Sequence, residues 1–399
     1  MNAFTVGGTI RATFTLAGEL AKRHDVEIVS VYRVRAAAPA LPVPKGVRLR
    51  TLTDLRTGAR RTALQEWLRA RRSRLISPQD YRYENFSLLT DAGLLRFLAS
   101  VRDGVLVGTR PGLNLAIAHL APDSVVRVGQ DHVNLASYSS GMRMQMTEAY
   151  DRLDLLSTLT ERDAAAYREL LGDRPPVELF PNPAPDLGGR RASLDDKVVI
   201  AAGRLAWTKG FDRLLPAWAR IAERHPGWEL RIFGDGAERE ALQGMIDELG
   251  IAGSARLMGF TGRLHDELAR ASVYVMTSRQ EGFPMVLLEA MAAGLPVVSV
   301  DCHTGPRDIV TDGVDGRIVP EEDEDALVEA VDALLADATT RRAYGAAALE
   351  AAARYEPSAI AARWEARLGE LSEAERGRST IAGPALRVLH GRVRRKVGG

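Results

Sequence analysis

The sequence contains little cysteine and little lysine. Its 399 residues include one cysteine, Cys302, which excludes an intramolecular disulfide framework and a zinc site built from several thiolates. Arginine supplies nearly all of the 53 basic groups, since only five lysines are present. A lysine at a chemically suggestive position is therefore conspicuous.

Long apolar runs and an excess of one charge are also missing. No run of about 18 uncharged apolar residues occurs, and residues 1–4 lack the basic segment and apolar core of a signal peptide. The balance of 53 basic against 52 acidic groups excludes a generally polybasic nucleic-acid binder and an acidic disordered chain. These features favour a cytoplasmic globular protein of two or three domains.

The first half of the chain has weak secondary-structure signals. The pattern predicts a helix around 16–23, strands at 26–32, 104–107 and 125–128, and a helix at 142–150, but region 36–82 is rich in Pro and Arg and gives no clear assignment. Three prolines within 181–185 indicate an interdomain linker. Gly7 and Gly8 arrive before any strand, so either residues 2–6 are a stub of the first strand or that strand starts upstream.

The second half alternates short apolar strands with amphipathic helices. Strands are predicted at 198–202, 230–233, 255–258, 273–277 and 297–300, and helices at 211–224, 238–249, 264–271, 284–293, 325–336, 340–355 and 357–371. Continuous apolar strands indicate a parallel sheet covered on both faces. The predicted fold class is therefore α/β, with a doubly wound domain.

The strongest chemical signal is a pair of glutamates, Glu281 and Glu289, where a strand ends and a helix begins. Pro284 is expected in the first turn of that helix, whose unpaired N–H groups attract anions. Two carboxylates at the carboxyl end of a parallel strand can hold a hydroxyl-rich ligand. An alternative interpretation makes Glu281 a capping residue and Glu289 a solvated helix residue.

Two cations form the second signal. Arg204 and Lys209 lie in a loop after the predicted strand 198–202, at the sheet edge where open α/β folds bind ligands. Such cations recognise phosphate, although both could be ordinary loop residues. Gly8 and His132 are weaker candidates, each in a loop. No regular set of metal ligands is present, so no metal site is expected.

At these residues the chain resembles the retaining, nucleotide-sugar-dependent glycosyltransferases of family four, which have the GT-B fold. Glu281 and Glu289 match the Glu-x7-Glu motif of that family, and Arg204 with Lys209 match its donor-diphosphate pair. The Gly7-Gly8 loop and the Asn182-Pro183 linker also match. The segment 301–306 resembles a subgroup that glycosylates teichoic acids, surface polymers or surface proteins. The resemblance is strong over 195–320 and weak over 36–100.

The resemblance implies a role for each matching residue. Arg204 and Lys209 would hold the donor diphosphate, and Glu289 would bind the ribose hydroxyls. Glu281 would contact the transferred sugar, with N–H groups near Phe283 and Met285. The remaining two candidates, Gly8 and His132, would approach from the opposite domain. The co-substrate would be a nucleotide sugar, with no metal and no other cofactor.

Four segments follow from this assignment. They are an acceptor-side domain at 1–183, a nucleotide-sugar-binding domain at 184–355, a crossover helix at 356–375 and a basic tail at 376–399. The expected function is transfer of a sugar, with a UDP-sugar favoured as donor, to a cell-surface polymer, glycolipid or related acceptor. Residues 383–399 hold five basic and no acidic groups, which suggests peripheral membrane contact. Rival interpretations are a non-catalytic glycan-binding or stabilising partner, and an epimerase or phosphorylase of the same fold.

Overall fold

The computed structural model describes residues 3–4, 7–35, 38–39, 41–185 and 187–381, with side chains as far as residue 374. The predicted stub at 2–6 therefore falls largely outside the described residues, and the basic segment 383–399 falls wholly outside them. Within the described part, no helix is both long enough and apolar enough to cross a membrane.

The strands form three parallel sheets. A two-stranded sheet pairs β1 with β2, a four-stranded sheet has the order β3-β4-β5-β6, and a six-stranded sheet has the order β12-β11-β10-β7-β8-β9. The strands are β1 Val26–Arg33, β2 Val47–Asp54, β3 Val105–Gly108, β4 Val126–Gln130, β5 Leu155–Thr158, β6 Val177–Leu179, β7 Val198–Ala202, β8 Glu229–Phe233, β9 Ala255–Gly259, β10 Val273–Met276, β11 Val297–Val300 and β12 Gly316–Val319.

Helices cover the sheets. They are α1 Gly8–Leu20, α2 Ala63–Arg69, α3 Leu88–Ser100, α4 Pro111–Leu120, α5 Ser140–Ala149, α6 Glu161–Leu171, α7 Phe211–Arg224, α8 Arg239–Glu248, α9 Leu264–Leu268, α10 Met285–Ala292, α11 Pro306–Ile309, α12 Glu324–Ala336, α13 Ala338–Ala353 and α14 Pro357–Ile381.

The six-stranded sheet confirms the predicted α/β class. Strands β7, β10 and β11 are buried along nearly their whole length, and an apolar cluster covers each face of the sheet. Burial on both faces accounts for the absence of polar alternation in these strands. The edge strand β12 was not predicted, because a glycine and an arginine interrupt its short apolar pattern.

The first half differs most from the sequence prediction. The unassigned region 36–82 contains β2 and α2, and α3, α4 and α6 were also missed. Helix α4 is buried at eight of its ten residues, so it lacks the polar face that marks an amphipathic helix. Helix α1 begins at Gly8, with Gly7 as its N-cap residue, about eight residues earlier than predicted.

The last helix, α14, lies against the first half of the chain. Its Trp364 stacks on Phe180 with ring centroids 4.2 Å apart, and both belong to an apolar cluster with Val128 of β4 and Leu155 of β5. Glu365 forms ion pairs with residues just after α1. The helix extends to Ile381, ten residues beyond its predicted end.

Candidate functional site

The centre of the candidate site is an ion pair between Lys209 and Glu281. The loop after β7 carries Lys209 and the loop after β10 carries Glu281, and these two strands are neighbours in the sheet. The two loops therefore meet at one edge, and Lys209 Nζ lies 2.5 Å from Glu281 Oε1. The hydroxyl of Ser278 donates to the same oxygen at 2.6 Å. Glu281 is thus an ion-paired residue and does not cap α10.

Close backbone packing fixes the position of Lys209. Gly210 has φ of +65°, and a Cβ there would lie 2.0 Å from the carbonyl oxygen of Thr277, so a side chain would push the two loops apart. Arg279 also connects the loop after β10 to α7, since its guanidinium donates two 2.7 Å hydrogen bonds to the Asp212 carboxylate. Its backbone N–H donates to Thr208 O at 2.8 Å.

Glu289 is buried in α10 and pairs with a residue of the other domain. Its exposed fraction is 1%, which contradicts the solvated interpretation. Arg11 of α1 donates to Glu289 Oε1 at 2.5 Å, while Oε2 has no hydrogen-bond partner among the described residues and lies 3.8 Å from His265 Nε2. Burial raises the pKa of Glu289, and the Arg11 charge acts in the opposite direction. One oxygen of this carboxylate is therefore oriented by a cation, and the other lies near an imidazole without accepting a hydrogen bond from the described residues.

The glycine loop of the first half faces the start of α10. A Cβ on Gly8 would lie 3.5 Å from Met285 Cγ, so these two donor-binding candidates are in contact. Phe283 is buried and packs edge-on against Tyr355, which leaves its backbone as the part that could meet a ligand. The prediction that Pro284 lies in the first turn is wrong by one residue, because the helix begins at Met285 and Pro284 precedes it.

His132 lies in the loop after β4, directly against the second domain. A Cβ on Gly282 would lie 2.6 Å from the His132 carbonyl oxygen, so only glycine permits this approach. Both ring nitrogens of His132 are buried without a hydrogen-bond partner in the described structure. Burial lowers the pKa of the imidazole to about 4, so the ring is neutral at pH 7 and offers one donor and one acceptor.

A buried network holds this loop from behind. Asp131 accepts a hydrogen bond from Tyr138 at 2.6 Å and another from Tyr167. The N–H of Val133 also donates to Asp131 Oδ1, at 3.3 Å. Burial raises the pKa of Asp131 to about 6, and these hydrogen bonds oppose the rise. Asp131 thereby fixes the residues on both sides of His132.

Polar contacts also join the two domains beside Glu281. Asn134 of the first domain donates to the Glu281 carbonyl oxygen at 3.2 Å and to Thr304 Oγ1 at 3.3 Å, and within the second domain Thr304 donates to the same carbonyl oxygen at 2.5 Å. The space between His132 and Gly282 is too narrow for a water molecule. The described structure therefore shows the two halves of the site in direct contact.

Arg204 takes no part in the ion pair and hydrogen bonds around Glu281. The residue is exposed, and its side chain forms no hydrogen bond or ion pair with the described part of the chain. Within that part, no group of three or more His, Cys, Asp or Glu side chains could hold a metal ion.

Sequence reasoning missed several residues of the site. Arg11 and Ser278 donate to the carboxylates of Glu289 and Glu281, and Asn134 donates to the backbone carbonyl oxygen of Glu281, but none of the three was selected. Arg11 had a detectable signal, because it lies one turn after the Gly7-Gly8 loop. The other two carry no charge and stand in loops, so their partners become visible only in three dimensions.

Replacing Arg11 by methionine is expected to lower the free energy of unfolding by about 2 kcal/mol at pH 8, because the buried Glu289 carboxylate loses its counter-charge. The loss should shrink at pH 5, where Glu289, with its pKa raised further by the substitution, takes up a proton. Urea unfolding at both pH values measures the difference. The control is Arg23→Met, which breaks the exposed pair with Glu365 and should cost less than about 1 kcal/mol. Equal losses in the two variants at pH 8 would contradict the assignment.

The comparisons with known proteins place these residues in a known domain. Residues 189–351, which include Arg204, Lys209, Glu281 and Glu289, match the family Glycosyl transferases group 1. This stretch of the second half therefore resembles a group 1 glycosyltransferase domain.

Two curated relatives and one solved structure extend the likeness. An exopolysaccharide phosphotransferase of Streptomyces coelicolor is 36% identical over 96% of this chain, which spans only 42% of that relative's length. The amylovoran biosynthesis glycosyltransferase AmsD of Erwinia amylovora is 27% identical over 90% of this chain and 95% of its own. The structure of Anabaena HepE in complex with UDP and glucose has a TM-score of 0.71 at 17% identity, covering 93% of this chain and 98% of that one. The fold is GT-B, with two Rossmann-like domains.

Proposed function

We propose that the protein is a retaining, metal-independent glycosyltransferase that moves a sugar from a nucleotide sugar to a cell-surface polymer, glycolipid or related acceptor. A UDP-sugar is the favoured donor, in keeping with the UDP and glucose named in the HepE structure. The observation that carries the proposal is the convergence of Lys209, Glu281 and Glu289 at one sheet edge, opposite Gly8 and His132 of the other domain.

The charges suit a leaving diphosphate. Lys209 is partly buried, so its interaction with a phosphate oxygen is screened less than in open water. Arg204 is exposed in the same loop after β7 and can add a bidentate contact. As the bond between sugar and phosphate lengthens, negative charge builds on the phosphate, and both cations stabilise it without a metal. In the absence of donor, Glu281 neutralises Lys209.

The carboxylates suit hydroxyl groups. The Oε2 atom of Glu289, which accepts no hydrogen bond from the described residues, can accept from a ribose hydroxyl while Arg11 holds Oε1. Glu281 would accept from a hydroxyl of the transferred sugar once Lys209 turns to the diphosphate. His132, neutral at pH 7, would bind the sugar from the opposite domain. No residue is required as a covalent nucleophile, since the leaving phosphate itself would take the acceptor proton.

The phosphotransferase name of the Streptomyces relative favours a second candidate reaction. In sugar transfer the bond between sugar carbon and phosphate oxygen breaks, and a nucleoside diphosphate leaves. In transfer of a sugar phosphate the bond between the two phosphates breaks, and a nucleoside monophosphate leaves. The nucleotide released therefore identifies the reaction.

The deciding experiment incubates the full chain with UDP-, GDP- and ADP-sugars and with candidate acceptors, and separates the nucleotides by chromatography. We expect UDP to accumulate from one UDP-sugar, with and without a chelator. Accumulation of UMP would support the second candidate and overturn sugar transfer. Failure of every nucleotide sugar to bind, tested by calorimetry, would favour the non-catalytic partner.

A further inference from the structure

Helix α2 exposes large apolar side chains. None of its residues is buried, and Leu64 and Trp67 are 65% and 49% exposed. These two residues are three apart, so they lie on the same face of the helix. Residues 60–74, which contain α2, are called the α2 patch below.

The α2 patch is also strongly basic. Its fifteen residues include six arginines and a single acidic residue, Glu66. That glutamate pairs with both Arg61 and Arg69, and Glu84 outside the patch pairs with Arg72, so two negative charges face six cations. The guanidinium of Arg71 lies 3.6 Å from the centre of the Trp67 ring, which places a cation directly beside the exposed indole. Five of the six arginines are exposed, namely Arg60, Arg69, Arg71, Arg72 and Arg74.

The patch follows β2 in the first half of the chain. The segment that leads into it leaves the carboxyl end of β2, and α2 packs on α3, which in turn packs on β1 and β2. Ligands of open parallel sheets bind outside the carboxyl ends of the strands. The chain therefore reaches the α2 patch from the carboxyl end of β2.

We infer that the α2 patch docks the protein on an anionic lipid bilayer. Arginines near a negatively charged membrane surface each strengthen binding by about fivefold at low salt. A helix with basic residues around an exposed Trp and Leu matches the chemistry of the bilayer interface, where indole and aliphatic groups enter the headgroup region. A soluble polyanion would satisfy the arginines but would leave Leu64 and Trp67 in water, so the apolar pair favours a bilayer.

Co-sedimentation with vesicles tests the inference on the full chain, without donor or acceptor, so its outcome is independent of the proposed transfer reaction. The vesicles are phosphatidylcholine with or without phosphatidylglycerol. One variant combines Leu64→Ser with Trp67→Ser, and another combines Arg71→Gln with Arg74→Gln. Both sets of residues lie at the surface, and circular dichroism verifies the fold of each variant.

We expect the wild type to bind only the anionic vesicles, and each patch variant to bind at least about tenfold more weakly. Matched controls in the second domain are Leu249→Ser with Val314→Ser, which removes exposed apolar groups, and Arg256→Gln with Arg270→Gln, which removes exposed charges. Both controls should bind as the wild type does.

Three results would overturn the inference. The first is no binding of the wild type to anionic vesicles. The second is unchanged binding in the patch variants together with loss on deletion of 383–399, which would assign the contact to the tail. The third is normal vesicle binding by the Leu64 and Trp67 variant, combined with loss of binding to both vesicles and soluble poly(glycerol phosphate) by the arginine variant. That result would make the α2 patch a polyanion site.

Discussion

Replacing Lys209 by methionine is expected to lower the rate of sugar transfer by about 10³-fold, with little change in stability. Methionine keeps most of the length of the side chain but removes the positive charge that would, in the proposed reaction, stabilise the leaving diphosphate. The Glu281 carboxylate keeps its hydrogen bond from Ser278 and remains partly accessible to water, so the fold should tolerate the change. Initial rates of nucleotide release at saturating donor measure the effect.

The sequence offers a matched control for this variant. Lys197 is exposed and lies just before β7, at the amino end of the strand whose carboxyl end leads to Lys209. Lys197→Met removes the same charge from the opposite edge of the sheet and should leave the rate within about twofold of the wild type, as an exposed position away from the site. A Lys209 variant as active as the Lys197 variant would remove Lys209 from the mechanism.

Replacing Asp131 by alanine is expected to lower the free energy of unfolding by about 3 kcal/mol. Two buried tyrosine hydroxyls, of Tyr138 and Tyr167, would lose their acceptor, and each unsatisfied buried group costs about 1–3 kcal/mol. The loop that carries His132 would also lose the hydrogen bond that the Val133 N–H donates to the Asp131 carboxylate. Urea unfolding measures the loss, and a change below about 1 kcal/mol would show that the network does not anchor the loop.

The asparagine variant adds a dependence on pH. In the folded wild type the pKa of Asp131 is about 6, above the ordinary value of 3.8, so the folded state favours the protonated carboxyl. Asp131 therefore costs stability progressively as the pH rises from about 4 to 6, and asparagine cannot ionise. We expect the stability of Asp131→Asn relative to the wild type to increase by about 2 kcal/mol over this range. A difference that does not vary with pH would contradict the buried, ionising Asp131.

Much of the second domain could be predicted from the sequence because its strands are buried on both faces. Such strands are short and continuously apolar, and the helices between them have clear apolar stripes; α7, for example, has the predicted bounds. Strand β2 alternates apolar and polar residues and could have been found by its period of two. Helix α4 could not, since nearly all its residues are buried and no amphipathic period marks it.

The candidate site was predicted in part. The carboxylates and the cations were selected because charged residues at the carboxyl ends of parallel strands are chemically suggestive. The pairing of Lys209 with Glu281 and of Arg11 with Glu289 depends on loops and domains that are far apart in sequence, up to 278 residues for the second pair. Spacing along the chain contains no information on such contacts. For the same reason, sequence alone could not show that Glu289 is buried.

Helix α14 is the last described helix of the chain to be synthesised, yet its packing completes the first domain. The apolar surface formed by Val128, Leu155 and Phe180 is covered by residues of α14, among them Trp364. Most of the chain has left the ribosome before this cover exists, whereas the six-stranded sheet already has all its strands once residue 319 has emerged. A shortened gene that ends before residue 357 would therefore yield a first domain with an open apolar face, a surface that promotes aggregation. The earliest part of the polypeptide is thus the last to be finished.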